Sequence, residues 1–124
     1  MAKPPSNTPV LYDVKSDTRT LKQNKDGSYQ LVMEGVEQVH WVTDDAKAED
    51  GYTSAKKYAK NFDEYYGKDT EVKAYETFSK TDGTKEKLKF SINNAKYNQN
   101  SNKLVYNITP ENENQAEKIT GIKS

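Results

Sequence analysis

Cysteine is missing from this 124-residue chain, and arginine, histidine and tryptophan occur once each, as Arg19, His40 and Trp41. Without thiols there is no disulfide, no thiolate nucleophile and no zinc ribbon. One Arg almost excludes bidentate reading of bases or phosphates, and one imidazole leaves little for the common forms of general-base catalysis. Charge of one sign is lacking too. The chain has 19 Lys+Arg against 19 Asp+Glu, and zero net charge argues against nucleic acid as a partner. No apolar run approaches the length of a membrane span. Apolar residues are also scarce, at 32% against 31% charged, where an average globular chain is about half apolar. Nine Tyr offset part of that shortage, because each ring can bury an apolar body and keep its hydroxyl wet.

The length fits one domain. Met1–Pro9 is small, polar and Pro-rich and reads as a tether, with Met1-Ala2 as the start of an expressed piece. It has no signal-peptide pattern; an anchor or leader upstream is the expectation. From residue 10 onward the pattern is mostly alternation with period two. Val10, Tyr12 and Val14 give a first strand, which Thr18–Gln23 continues after a bend at Ser16-Asp17. Asp26-Gly27 supplies a hairpin turn, and Tyr29, Leu31 and Met33 form an inward face. After Glu34-Gly35, Val36–Thr43 is a strand with large groups on both faces, as expected for one that is central or lies under the helix. Val72, Ala74 and Phe78 mark another strand, Asp82-Gly83 a second turn, and Leu88, Phe90 and Ile92 the strand after it. Asn93–Lys103 reads as a polar connection. Leu104, Tyr106 and Ile108 give the last clear strand, stopped by Pro110, and the tail beyond is an edge strand or frayed.

One helix stands out. Thr53 or Ser54 caps it, and Ala55, Tyr58, Ala59, Phe62, Tyr65 and Tyr66 follow at three- and four-residue spacing up to Gly67. Lys56 and Lys57 at its start and Asp63 and Glu64 at its end oppose the macrodipole, so burial of the aromatic face must hold it. The fold class expected is therefore α+β: a mainly antiparallel β-sandwich or partly closed barrel of six or seven strands with one packed helix.

Few residues carry chemistry. His40 needs a nucleophile and an orienting carboxylate to act as a base; otherwise it is a partly buried strand residue without a catalytic part. The acidic stretch from Asp44 to Gly51 fails the calcium-loop pattern, since Ala46 and Ala48 fall where ligands are needed. An irregular cation site from Asp44, Asp45, Glu49 and Asp50 stays open beside a plain solvated loop. Tyr65 and Tyr66 are adjacent on the helix, so one of them is expected to face outward as a contact surface. Asp63 and Glu64 diverge and make no acid/base pair of the glycosidase kind. No glycine-rich phosphate loop or nucleophile elbow occurs.

Two stretches resemble a known pattern. Trp41–Gly67 is similar to a W-F-T-D-R-P-x-R-x-A-G signature followed by a short aromatic helix. Phe90–Thr109 is similar to an L-S-N-P-x-Y-D-x-x-x-x-x-L-x-Y-D-V-T hairpin. In this order the two resemble a widespread family of small secreted or surface bacterial proteins of unsettled activity. Trp41, Thr43, Asp44, Gly51, Asn61, Gly67, Asn94, Tyr97, Leu104 and Tyr106 match; Asp45 stands in place of Arg, and Ala46 and Ala95 in place of Pro. The resemblance and the Lys- and Asn-rich composition imply a cell-surface or secreted domain, the soluble part of a Gram-positive lipoprotein.

The leading expectation is a monomeric, non-enzymatic binding domain without a cofactor or metal. It would take a protein or cell-wall glycan on Thr43, Asp44, Asp45, Tyr65 and Tyr66. A metal- or carboxylate-dependent hydrolase using Asp44 and Asp45 is the second class, and an intracellular inhibitor or immunity-type protein the third.

Overall fold

The structure, a computed structural model, describes residues 10–43, 46, 49–62, 72–80 and 82–120. In chain order the elements are β1 (Val10–Val14), β2 (Thr18–Gln23), β3 (Tyr29–Glu34), β4 (Gln38–Thr43), β5 (Asp50–Ser54), α1 (Ala55–Lys60), β6 (Val72–Ser79), β7 (Lys85–Asn98), β8 (Lys103–Pro110) and α2 (Glu113–Ile119). The fold is α+β and mainly antiparallel β, in two sheets with strand orders β1-β4-β5 and β2-β3-β8-β7-β6. Among the described residues these eight strands exceed the six or seven expected, and α2 makes two helices where one was read.

The two Asp-Gly turns are built alike. Gly27 (φ 89°) and Gly83 (φ 86°) take the left-handed conformation. Asp26 accepts from the hydroxyl (2.6 Å) and the N–H (3.0 Å) of Ser28, and Asp82 does the same with Thr84 at 2.6 and 2.9 Å. These bonds, the hydroxyl ones foremost, hold both carboxyl groups below the usual Asp range.

The core fills the space between the sheets. Leu31 and Met33 of β3, Leu88, Phe90 and Ile92 of β7 and Leu104, Tyr106 and Ile108 of β8 are all buried. Tyr58 and Phe62 meet Tyr106 there; the Tyr58 and Tyr106 hydroxyls lie 2.9 Å apart, and Tyr58 is 1% exposed. The five-stranded sheet curls into a half-barrel. Arg19 on β2, its first strand, reaches across to Glu76 (3.0 Å) and the Thr77 carbonyl (3.2 Å) on β6, its last. The side chain of Arg19 thus closes what backbone pairing leaves open.

Five sequence expectations change. The stretch Thr18–Gln23 does not continue β1: the bend at Ser16-Asp17 moves the chain into the other sheet, and the Asp17 N–H donates to Glu34 O at 2.8 Å. Asp50–Ser54, read as loop and helix cap, is a strand, because Gly51 and Tyr52 pair with Trp41 and His40. The Asn-rich connection is mostly strand. β7 runs 14 residues with a bulge between Ile92 and Asn94, and the amides of Gln30, Asn107 and Asn94 form a ladder across three strands at 3.2 and 2.6 Å. Up to Thr120 the tail is neither frayed nor a strand of its own. It forms α2, with Ala116 and Ile119 fully buried and one parallel bridge from Thr120 to Leu21.

The fifth change concerns α1. It is capped by Ser54, whose hydroxyl accepts from the Lys57 N–H at 3.1 Å, and it ends at Asn61. In so short a helix Lys57 and Lys60 occupy the last turn, where the macrodipole favours cations. Lys56 and Lys57 nevertheless stand in its first turn with no acidic residue beside them, so that half of the charge conflict read from the sequence remains. The tether, Asp63, Glu64 and Gly67 lie outside the described residues.

Candidate functional site

Of the five residues put forward as binding groups, Asp44, Asp45, Tyr65 and Tyr66 lie outside the described residues. Thr43 ends β4 and is 4% exposed. Its N–H donates to the Glu49 carbonyl at 2.8 Å and its hydroxyl to the same oxygen at 3.2 Å. It fastens the two ends of the acidic loop together. Trp41, two residues earlier, packs its indole against Gly51 and is 3% exposed.

His40 faces the other side of the same strand. Its Nε2 is 2.8 Å from Asp50 Oδ2, and its ring stacks at 4.9 Å on Tyr52, which is half exposed. The carboxylate can only accept, so the imidazole donates through Nε2. A polar cleft opens beside it, lined by Asp13, Lys15, Asp17, Glu37 and Gln38. His40 thus has the orienting carboxylate that a base needs, but no Ser or Thr lines the cleft among the described residues. Nor do three or more metal-ligating side chains converge anywhere among them.

The larger opening is a groove of about 850 Å³ on the concave side of the half-barrel. Beneath it lie Leu31, Met33, Phe90, Ile92, Tyr58 and Tyr106, all buried at 9% exposed or less. Its two rims are strands. Every residue from Val10 to Val14 and every residue from Val72 to Thr77 lines it. Alternate strand residues point to opposite faces, so a strand whose residues of both parities line one space presents its backbone edge to that space. Both β1 and β6 are terminal in their sheets. The groove therefore runs between two strand edges that, among the described residues, pair with no neighbouring strand.

Arg19 and Glu76 stand at one end of the groove, 3.0 Å apart, with Glu76 mostly buried. Burial raises the Glu76 carboxyl above the ordinary Glu value. The Arg19 guanidinium opposes that rise, and Asp13, across the groove, adds to it. Arg19 also reveals which groups face outward. In an antiparallel pair, residues alternate between those bonded to the partner strand and those whose N–H and C=O point away. Since the Thr77 carbonyl meets Arg19, Tyr75 and Lys73 likewise aim their backbone groups at the groove.

Sequence reasoning missed this site because strand edges have no residue signature of their own. The one available signal was Arg19, a lone guanidinium inside a stretch read as a strand. Comparisons with protein-family models, curated proteins and solved structures gave no match. The positions behind the resemblance are thus best described by their contacts. Asn61 caps α1, and the Tyr97 hydroxyl donates to Val36 O at 2.7 Å beside the Asn102 amide. Leu104 and Tyr106 are buried in the core.

Proposed function

We propose that this chain is a non-catalytic binding domain, of the secreted or cell-surface kind the resemblance implies, which takes an extended segment of a partner protein as an added strand. The observation that carries the reading is the groove rimmed by β1 and β6, each terminal in its sheet among the described residues, with the β6 edge at Lys73 and Tyr75 turned toward it. Backbone groups on an edge bind any extended chain, and pockets for alternate side chains select among sequences. A strand lying between β1 and β6 would join the two sheets into one. An upstream lipid anchor would hold such a domain at the cell surface.

The test uses the free edge of β6. Tyr75→Pro removes an N–H that points away from β7, so the β6–β7 ladder survives the change. Peptides selected from a displayed random library on the wild-type domain should lose binding to Tyr75→Pro, while its melting temperature stays within a few degrees. Hydrogen exchange at the Lys73 and Tyr75 amides should slow when a selected peptide binds. Equal binding to the variant, or unchanged exchange at both amides, would overturn the reading.

A further inference from the structure

The face of β6 and β7 turned away from the core carries Lys73, Tyr75 and Thr77 opposite Ser91, Lys89 and Lys87. Three of these six residues are lysines and none is acidic. Tyr75 is 63% exposed, and Lys87 Nζ sits 4.1 Å from its ring centroid. A cation on β7 thus already leans toward the free edge. Of the nearby carboxylates, exposed Glu111 lies beside Lys89, its N–H donating to the Lys89 carbonyl at 3.0 Å, while the others are engaged or lie elsewhere. Glu76 points inward to Arg19, Glu86 is held by Lys80 at 3.3 Å and by Gln115, and Asp13 stands on the opposite rim near Lys15. On the other side of the same edge stand Val72 and Ala74, above the buried Phe90, Ile92 and Met33.

Resting on the strand-addition reading, the geometry points to a partner segment that alternates apolar and acidic residues. Period two turns one set of its side chains toward Val72 and Ala74 on the core side of the edge and the other set toward the lysines. Opposite charges on neighbouring strands attract and like charges repel. A second copy of this chain is a poor occupant for the same reason, because two β6 edges would bring Lys73 and its neighbours against each other.

Three synthetic peptides of about eight residues test this, each spanning the length of a typical strand. One alternates Val/Ile with Asp/Glu, one alternates Val/Ile with Lys, and one has the composition of the first with its acidic and apolar residues in separate blocks. Binding is read by fluorescence anisotropy. The acidic alternating peptide should bind about tenfold or more tighter than the other two, and raising salt from about 50 to about 500 mM should narrow that lead. Lys73→Glu/Lys89→Glu should reverse the preference between acidic and basic peptides, and Tyr75→Pro should abolish binding of both. If the double variant keeps the wild-type preference, or the blocked peptide binds as well as the alternating one, the acidic-alternation inference fails while strand addition stands. If Tyr75→Pro binds like the wild type, strand addition fails first. If no peptide binds, or the domain dimerises through this edge in sedimentation, both fail and the lysines serve only to blunt an edge.

Discussion

Trp41 and Gly51 act as one unit. A Cβ on Gly51 would lie 2.7 Å from Trp41 Cζ2 and 2.9 Å from Cε2, and a rigid, buried indole has nowhere to move. Gly51→Ala should cost about 1–3 kcal/mol in a urea melt, the usual range for overpacking. Trp41→Val in the same background should return part of that loss, since the two changes meet at one contact. Glu76 gives a second residue-scale prediction. Its folded-state carboxyl holds the proton more tightly than the ordinary value of 4.5. Its contribution therefore favours folding below that value and is lost as pH rises through the higher folded one. Glu76→Gln has no such titration. Between about pH 4 and pH 7 the melting temperature of the variant should climb relative to that of the wild type, whatever the offset from an unpaired Arg19. A constant gap would mean the carboxyl is not raised.

At the scale of elements, legibility followed how each strand buries itself. The strands of Tyr29, Leu31 and Met33 and of Leu104, Tyr106 and Ile108 place a large apolar group at every second position, and each could be read directly. β7 loses that signal past its bulge, where Ala95 is the buried residue and amide-to-amide bonds do the lateral pairing. β5 buries only Thr53 and exists through its pairing with β4. Neither can be seen without the partner strand. α2 was different, because its signal was present: Asn112, three residues before Gln115, accepts from the Gln115 N–H at 3.2 Å. That spacing is a helix start. Ile119, fully buried at its end, should cost about 2–5 kcal/mol when changed to Ala, with the loss read in a denaturant midpoint. A loss near zero would return the tail to the frayed state the sequence suggested.

Across the whole molecule, a lean composition is reconciled with a real core by rings and by curvature. The half-barrel wraps its apolar face around Tyr58, Tyr106 and Phe62, and the same curvature leaves the groove. The site was illegible for that reason: it belongs to the relation between two sheets, and no stretch of chain contains it. A thermal-shift series compares the functional classes at this scale. A ligand that binds only the folded state at about a hundred times its Kd adds about 2.7 kcal/mol of stability. An acidic alternating peptide at that excess should raise the melting temperature, whereas calcium, magnesium, manganese and zinc should each leave it in place. A clear rise with any of the four would restore the metal-dependent class built on Asp44 and Asp45.

Arg19 also sets a limit on what the groove can read. By taking the Thr77 carbonyl it plugs the edge of β6 at that point, so an incoming chain can zip along β6 only from Thr77 back toward Val72. Six residues span about 20 Å of strand. The guanidinium is thus a ruler as well as a brace, and recognition is confined to a short linear epitope.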